Sequence, residues 1–319
     1  MSKFQRIVGA ALAAGLLMAQ GAAAETRVTY KSAKSGSSYY QMGVELAEAM
    51  KAGTNGDIIV TVEESQGSTQ NVMEVRARGG DYVFTTPPAL IGLAQEGKGP
   101  FKDRSAPQFD EIRALFPIPS LTMHFVMAGQ DGTGTLKDLE GKTILLGKGS
   151  FGAREGEKYL SLFGLADSVK IAEAELSNAV AALKNGQIDA FVTAGSFPAP
   201  NVVEAAASTP VTVLSLSAEE IAETKRATLV IPAGTYAGQD EDITTTSLPV
   251  AAFTTTKMDA DTAYALTRTF WEQKAKMADV SPWWNGVTPE LMAHISTKLH
   301  PGAIRYYEEA GIALSGAQK

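Results

Sequence analysis

Residues 72–84 are VMEVRARGGDYVF, and residues 181–192 are AALKNGQIDAFV. Each stretch predicts the end of a helix, a turn that runs from glycine to aspartate, and a short apolar strand. Glycine can end a helix in the left-handed conformation, and Asp81 and Asp189 can turn the chain into the strand. The repetition predicts two similar α/β lobes in one chain. The alternative is that turns of this kind recur in any α/β protein.

Strand and helix patterns alternate around both copies of the repeat. In the first part of the chain they predict strands over residues 27–33, 57–63 and 82–85 and helices over 38–52 and 69–78. In the second part they predict strands over residues 143–146, 169–172 and 190–193 and helices over 152–163 and 177–184. Strands that alternate with helices form parallel sheets covered on both faces. We therefore expect an α/β fold in which each lobe is a mostly parallel sheet flanked by helices.

Two extended segments mark the predicted boundary between the lobes. Residues 116–120, FPIPS, are held extended by two prolines, and residues 248–251, LPVA, follow a polar stretch. Crossings at these points assign residues 25–119 and 251–319 to lobe 1 and residues 120–250 to lobe 2. Two crossing strands place a hinge between the lobes and a cleft opposite it, which is the geometry of proteins that close on a ligand.

The first 24 residues have the pattern of a secretory signal peptide. Lys3 and Arg6 precede an apolar run, and the small-residue site Ala22-Ala23-Ala24 follows it. We expect cleavage after Ala24, so that the exported chain begins at Glu25. The alternative is that the run remains as a short N-terminal anchor, although it is too short to span a bilayer as a helix. No later segment supplies a hydrophobic span, so we expect no stable membrane insertion.

The amino-acid composition limits the classes of molecule that we expect the chain to bind. The chain has 28 Lys and Arg against 35 Asp and Glu, a net charge of −7, and removal of residues 1–24 makes it −9. No basic stripe is present, so we do not expect nucleic acid or an anionic membrane surface as a partner. Cysteine is absent, which excludes a thiol nucleophile, a disulfide framework and a cysteine-bound metal. A negative net charge still allows a small anion to bind where the local potential is positive.

Residues 147–152, GKGSFG, form the most distinctive loop of the predicted second lobe. They follow a strand and begin a helix, so ligands can approach the backbone N–H groups and the helix N-terminus favours an anion. Ser150 adds a hydroxyl, and Arg154 adds a guanidinium that suits a carboxylate. The spacing from Gly147 to Gly152 and on to Glu173 also fits a dinucleotide site, which would indicate an exported oxidoreductase. A purely structural tight turn is the third interpretation.

Polar segments follow the predicted strands of the first lobe in the same way. Ligands of open α/β sheets bind beyond the carboxyl ends of the strands, where all of these segments lie. Each segment alone is more often a helix cap, but together they predict one cleft that both lobes line. The candidate ligand-binding residues are Gly36, Ser37, Ser38, Tyr39, Gly67, Ser68, Asn71, Thr85, Thr86, Ser150, Phe151, Gly152, Arg154 and Ser196.

The sequence lacks the usual arrangements of catalytic and metal-binding residues. His124, His294 and His300 are isolated, and no G-x-S-x-G or P-loop motif is present. Residues 240–242, DED, lack the spaced oxygens of an EF-hand, and we interpret them as a solvated loop. We interpret Trp283-Trp284 as packing under a loop rather than as a stacking platform. These absences favour a binding protein with no metal, no cofactor and no enzymatic activity.

Four stretches resemble one family of transport proteins. Residues 231–242, IPAGTYAGQDED, and residues 299–307, LHPGAIRYY, are similar to signatures of the TAXI family, the solute-binding proteins of TRAP transporters. Residues 181–191 also fit, and residues 36–40, GSSYY, lie where members carry a Gly-Gly-Thr-Tyr-Tyr-like run. The resemblance covers nearly all of the mature chain.

The resemblance implies a two-lobed, periplasmic-binding-protein-like fold of type II, hinged by crossing strands. It implies a periplasmic receptor, expected to be a monomer, that delivers glutamate, 2-oxoglutarate or a similar small carboxylate to the membrane permease of a TRAP transporter. Residues 82–88 and 151–154 depart from the family pattern, and both lie in predicted ligand loops, so the resemblance leaves the ligand's identity open. An exported structural module with an empty cleft is the remaining alternative.

Overall fold

The computed structural model describes residues 25–129 and 134–319. The predicted signal peptide, residues 1–24, lies outside these ranges. In the described ranges no helix is long and apolar enough to cross a membrane. The strands are β1 (Thr26–Lys31), β2 (Ile58–Glu63), β3 (Tyr82–Thr86), β4 (Ile112–Ala128), β5 (Thr143–Leu145), β6 (Lys170–Ala172), β7 (Ala190–Gly195), β8 (Val211–Val213), β9 (Ala227–Ile231) and β10 (Ile243–Thr255).

Helices connect the strands and complete the C-terminal part. The α-helices are α1 (Ser38–Gly53), α2 (Ser68–Glu74), α3 (Pro88–Gln95), α4 (Phe151–Leu162), α5 (Ala179–Lys184), α6 (Pro200–Ser208), α7 (Ala218–Thr224), α8 (Ala260–Val280) and α9 (Pro301–Glu309). Short 3-10 helices cover Gly99–Phe101, Pro107–Glu111, Leu136–Leu139, Leu176–Asn178, Pro282–Gly286 and Pro289–His294.

The described strands form one sheet whose main path has the order β2-β1-β3-β10-β4-β7-β5-β6. Strands β2, β1 and β3 are parallel, and we call them the first half-sheet. Strands β6, β5 and β7 are also parallel and form the second half-sheet. The two half-sheets have the same internal order, and β3 and β7, which follow the repeated turn, occupy the same place in each. The predicted α/β architecture of mostly parallel sheets flanked by helices is therefore confirmed.

The long strands β4 and β10 lie between the two half-sheets. They pair with each other in the antiparallel direction, β10 also pairs with β3, and β4 also pairs with β7. Residues 116–120 and 248–251 lie inside these strands, with Pro117 opposite Ala251. The register shifts between Leu248 and Val250, where the intervening proline has no N–H to donate. The division into lobes at these segments stays a prediction.

Apolar side chains form two cores in the described ranges. The larger extends from the first half-sheet across β4 to α4, and the smaller includes Phe191, Val202 and Ile231 beside α5, α6 and β9. All five residues of β3 are buried, as expected for a parallel strand covered on both faces.

The C-terminal helices pack on β4 and α1. Phe270 of α8 stacks on Phe116 of β4 with ring centroids 4.1 Å apart. Glu45 of α1 accepts hydrogen bonds from the indole N–H groups of Trp283 and Trp284, at 3.2 and 2.6 Å. Trp284 is fully buried, so the interpretation of this pair as packing is confirmed.

Candidate functional site

A cavity lies at the carboxyl ends of the strands, where the loops of both half-sheets meet. The loops that follow β1, β2 and β3 line one side, and the start of α4 together with β7 lines the other. The cavity volume is about 50 Å³, which is room for roughly three to five water molecules. Its lining residues are Ser32, Ala33, Lys34, Ser37, Tyr39, Gln66, Gly67, Ser68, Thr85, Pro87, Leu121, Ser150, Phe151, Gly152, Leu176, Val192, Thr193, Ala194 and Val250.

The structure brings together part of the predicted ligand-binding set. The predicted residues that line the cavity are Ser37, Tyr39, Gly67, Ser68, Thr85, Ser150, Phe151 and Gly152. The predicted residues that do not line it are Gly36, Ser38, Asn71, Thr86, Arg154 and Ser196. The sequence therefore predicts part of the cavity lining, and the ligand-binding role of these residues stays a prediction.

The glycine-rich loop brings the N-terminus of α4 to the cavity. Ser150 is the N-cap, and its Oγ accepts a hydrogen bond of 2.9 Å from the N–H of Ala153. The N–H groups of Phe151 and Gly152 lie in the first helical turn, where no intrahelical carbonyl is available to them. A Cβ on Gly152 would lie 3.1 Å from the Cβ of Ala194, so glycine allows α4 to pack directly against β7.

The loop after β2 meets the start of α4 across the cavity. Gly67 has φ of 105°, a conformation that favours glycine. A Cβ at this position would lie 3.4 Å from the backbone nitrogen of Phe151. The two half-sheets therefore approach each other closely at the rim of the cavity.

Lys34 is the charged residue of the cavity lining, and the sequence analysis missed it. It lies in the loop after β1 and is only 6% exposed. Its ammonium forms an ion pair with Glu175, which follows β6 in the other half-sheet and has a half-exposed side chain. No Asp or Glu is among the described lining residues. A lysine two residues before Gly36, in a loop that already held candidate residues, was the signal that could have found it.

Neighbouring Lys31 is also buried, but its partners differ. Its ammonium lies 3.3 Å from Glu63 and 3.3 Å from Glu74, and both carboxylates also bind Arg78. The bonds from Arg78 help to lower the pKa of Glu63 and of Glu74, so these carboxylates remain charged and neutralise Lys31. Lys31 therefore belongs to a structural ion-pair network, whereas Lys34 faces the cavity.

Comparison with known proteins agrees with this arrangement. The profile of the NMT1-like family matches residues 31–311, which is most of the chain. The chain belongs to the NMT1-like family. The matched range includes every residue that lines the cavity.

Solved structures share the fold of this NMT1-like chain. The periplasmic binding protein BugD is 13% identical and aligns over 90% of this chain and 98% of its own, with a TM-score of 0.58. MatC from Rhodopseudomonas palustris, solved with bound malate, is 12% identical over 85% of this chain and 97% of its own, with a TM-score of 0.54. A structure described as a periplasmic transporter is 11% identical over 91% and 99%, with a TM-score of 0.54. The predicted periplasmic-binding-protein-like fold is therefore confirmed.

Arg154 of this NMT1-like chain lies outside the cavity, which changes the role predicted for it. Its guanidinium donates to Thr69 Oγ1 at 3.3 Å and to the carbonyl of Gly149 at 3.4 Å, and the side chain is exposed. Residue 154 is about 200° around the helix from Gly152, whose face packs on β7. The guanidinium is therefore away from the face of α4 that packs on β7, and it links the two half-sheets at the surface.

Ser38 and Ser196 contact each other instead of the cavity. The N–H of Ser196 donates to Ser38 Oγ at 3.0 Å, which joins the start of α1 to the end of β7. Tyr39 lines the cavity with its ring, while its hydroxyl donates to the carbonyl of Pro119 at 2.8 Å. These bonds hold the two half-sheets and the crossing strand β4 together beside the cavity.

Asn71 and Thr85 fix the ends of β1 and β3. The Asn71 amide donates to the carbonyls of Ser32 and Thr85 at 2.7 and 2.8 Å. The Thr85 hydroxyl lines the cavity and lies 2.6 Å from the Tyr30 hydroxyl. Thr86 is fully buried and does not line the cavity. Asn71 therefore supports the cavity wall from behind.

Gly36 lies at the rim, close to the opposite half-sheet. It has φ of 82°, and a Cβ there would lie 3.6 Å from the Cα of Ser177. It therefore allows the loop after β1 to approach the loop after β6, which carries the Glu175 partner of Lys34.

Two histidines have structural roles. Nε2 of buried His124 forms a hydrogen bond of 2.8 Å with the Tyr236 hydroxyl. Burial lowers the pKa of His124 to about 4. His300 caps α9 through the N–H of Gly302. In the described residues, no group of His, Cys, Asp and Glu is arranged to hold a metal ion.

Proposed function

We propose that this chain is a periplasmic solute receptor that captures a small carboxylate in the cavity between its half-sheets. The observation that carries the proposal is buried Lys34, which lines a cavity with no Asp or Glu among the described residues of its lining. A buried cation needs a counter-charge. Glu175 supplies one at the rim, and a ligand carboxylate would supply another inside.

The N-terminus of α4 supports the same interpretation. Free N–H groups and the positive end of the helix macrodipole stabilise an anion at this position. The loop that carries Lys34 and the start of α4 line one cavity. One carboxylate could therefore accept from Lys34 and from the α4 backbone at once, which would favour the closed conformation over the open one.

The proposal also includes a transport partner. Residues 231–242 form the turn between β9 and β10, and residues 299–307 lead into α9. Their resemblance to TAXI signatures supports delivery of the ligand to the membrane permease of a TRAP transporter. The likeness to periplasmic binding proteins supports export, with the chain cleaved after Ala24 and acting as a monomeric receptor rather than as an enzyme.

The oxidoreductase alternative has less support from the geometry. A cavity of about 50 Å³ is far smaller than a dinucleotide requires. Glu173, the residue at the ribose-binding spacing, has a 72% exposed side chain and lies 3.9 Å from Lys148. The glycines of residues 147–152 instead bring α4 close to β7.

Calorimetry with a Lys34→Met variant tests the proposal. Methionine keeps an unbranched apolar stem but removes the charge, and half-exposed Glu175 can be solvated when it loses its partner. Losing a charge-assisted bond in a desolvated site costs about 2–5 kcal/mol, so affinity for the carboxylate should fall about 30-fold to several thousand-fold. Lys276→Met, on an exposed position of α8, is the matched control and should bind like wild type.

Both variants should unfold at nearly the wild-type temperature. Wild-type affinity in Lys34→Met would show that the carboxylate is held elsewhere. Loss of binding in both variants would show that the loss in Lys34→Met does not report on the cavity.

A further inference from the structure

Among the described residues that line the cavity, Lys34 is the one cation, and this limits the ligand's charge. Lys31 pairs with Glu63 and Glu74 and does not line the cavity, and Arg154 is exposed at the surface. Lysine has three N–H donors, so Lys34 can bind a ligand carboxylate while it keeps Glu175. A second carboxylate on the ligand would have no cation in the described lining to neutralise it.

The lining is equally unsuited to an ammonium group. No Asp or Glu is among the described residues that line the cavity. A buried charge without a partner is strongly unfavourable. An α-amino acid would therefore bring its ammonium beside Lys34 with no carboxylate to compensate it.

One part of the lining is apolar, beside the polar side chains of Gln66, Ser150 and Thr193. Leu121, Leu176, Val192 and Val250 are buried and line the cavity together with the ring of Phe151. Apolar walls favour an apolar ligand tail because its burial removes hydrocarbon surface from water. The volume of about 50 Å³ limits that tail to a few carbon atoms.

We infer that the ligand is a short aliphatic monocarboxylate with neither an ammonium group nor a second carboxylate. This inference rests on the proposed function and narrows it, because the TAXI resemblance implies glutamate or 2-oxoglutarate. The carboxylate binds Lys34 and the α4 N-terminus, and the aliphatic tail lies against Leu121, Leu176 and Val250.

Three four-carbon acids give a matched test in isothermal titration calorimetry. The mature chain, unfolded and refolded to remove any bound ligand, is titrated with butyrate, 2-aminobutyrate and succinate, and then with glutamate and 2-oxoglutarate. Relative to butyrate, 2-aminobutyrate adds only an ammonium group, and succinate replaces the methyl end with a second carboxylate. We expect butyrate to bind at least about 30-fold more tightly than the other four acids.

The outcomes separate this inference from the proposed function. If succinate, 2-aminobutyrate, glutamate or 2-oxoglutarate binds as tightly as butyrate or more tightly, and Lys34→Met abolishes that binding, the monocarboxylate inference is overturned while the receptor proposal stands. If none of the five acids binds, both are overturned. Preferential butyrate binding that Lys34→Met abolishes supports both.

Discussion

Gly195 allows the two half-sheets to meet, and replacing it should hold them apart. The residue ends β7, and a Cβ at this position would lie 2.2 Å from Ser38 Oγ at the start of α1. A real Cβ never approaches another heavy atom so closely. In Gly195→Ala, the contact that Ser38 makes with the Ser196 N–H at 3.0 Å must therefore change.

Two adjustments are open to the variant, and their costs are similar. Rotation of the Ser38 hydroxyl would break its bond and leave the buried N–H of Ser196 unpaired, at about 1–3 kcal/mol. Separation of the half-sheets would lose packing worth about 1–3 kcal/mol. Because either cost falls only on the closed conformation, carboxylate affinity should decrease about 5- to 150-fold.

The assay combines calorimetry with thermal unfolding of the ligand-free protein. If the half-sheets separate in the absence of ligand, Gly195→Ala should unfold within about 2 °C of wild type although it binds weakly. Ser38→Ala in the same background is the internal control, because the Ser38 Cβ would lie 3.4 Å from the new Cβ, an ordinary contact. The double variant should bind no more weakly than Ser38→Ala alone, which is a non-additive result. Wild-type affinity in Gly195→Ala, or additive losses in the double variant, would refute this reasoning.

Other predictions concern pH, support of the cavity wall and the surface contact between the half-sheets. The pKa of His124 is about 4 in the folded chain and about 6.5 when unfolded. The unfolded chain therefore binds the extra proton as the pH falls from 6.5 to 4. The free energy of unfolding should decrease by up to about 1.4 kcal/mol per pH unit in that window and level off below it. Urea titrations of wild type and His124→Gln check this, and an identical dependence of the free energy of unfolding on pH in the two proteins would contradict it. Asn71→Ala should lower the free energy of unfolding by about 1–3 kcal/mol because the carbonyls of Ser32 and Thr85 lose their donor, and an unchanged urea midpoint would contradict that. Arg154→Ala removes an exposed contact with Thr69, so calorimetry should show less than about a fivefold loss of affinity; complete loss would restore Arg154 as the ligand anchor.

The fold follows from patterns that are local in sequence. The helix–glycine–aspartate turn before β3 and before β7 is a short-range signal, and both strands take the third position of their half-sheets. The proline-bracketed residues 116–120 predicted an extended segment, and they lie in the middle of β4. Helix starts such as Ser37 and Ser150 were also predictable, because their side chains cap the helices that follow them.

The individual ligand-binding side chains were less predictable because their neighbours come from distant parts of the chain. Lys34 is significant only because it is buried opposite the loop that carries Glu175, a pairing between residues 141 positions apart. The guanidinium of Arg154 had the right chemistry, but its direction depends on which face of α4 packs on β7. Ser196 lies in the predicted region, yet its N–H is used by Ser38.

Identification of the small molecule that co-purifies with the protein tests the central claim most directly. The mature chain is purified without unfolding, and small molecules released by denaturation are identified by mass spectrometry in wild type, Lys34→Met and Lys276→Met. We predict one small carboxylic acid, near one molecule per chain, in wild type and Lys276→Met and its absence from Lys34→Met. A released nucleotide, an uncharged solute, or the same acid at the same level in all three proteins would contradict the account.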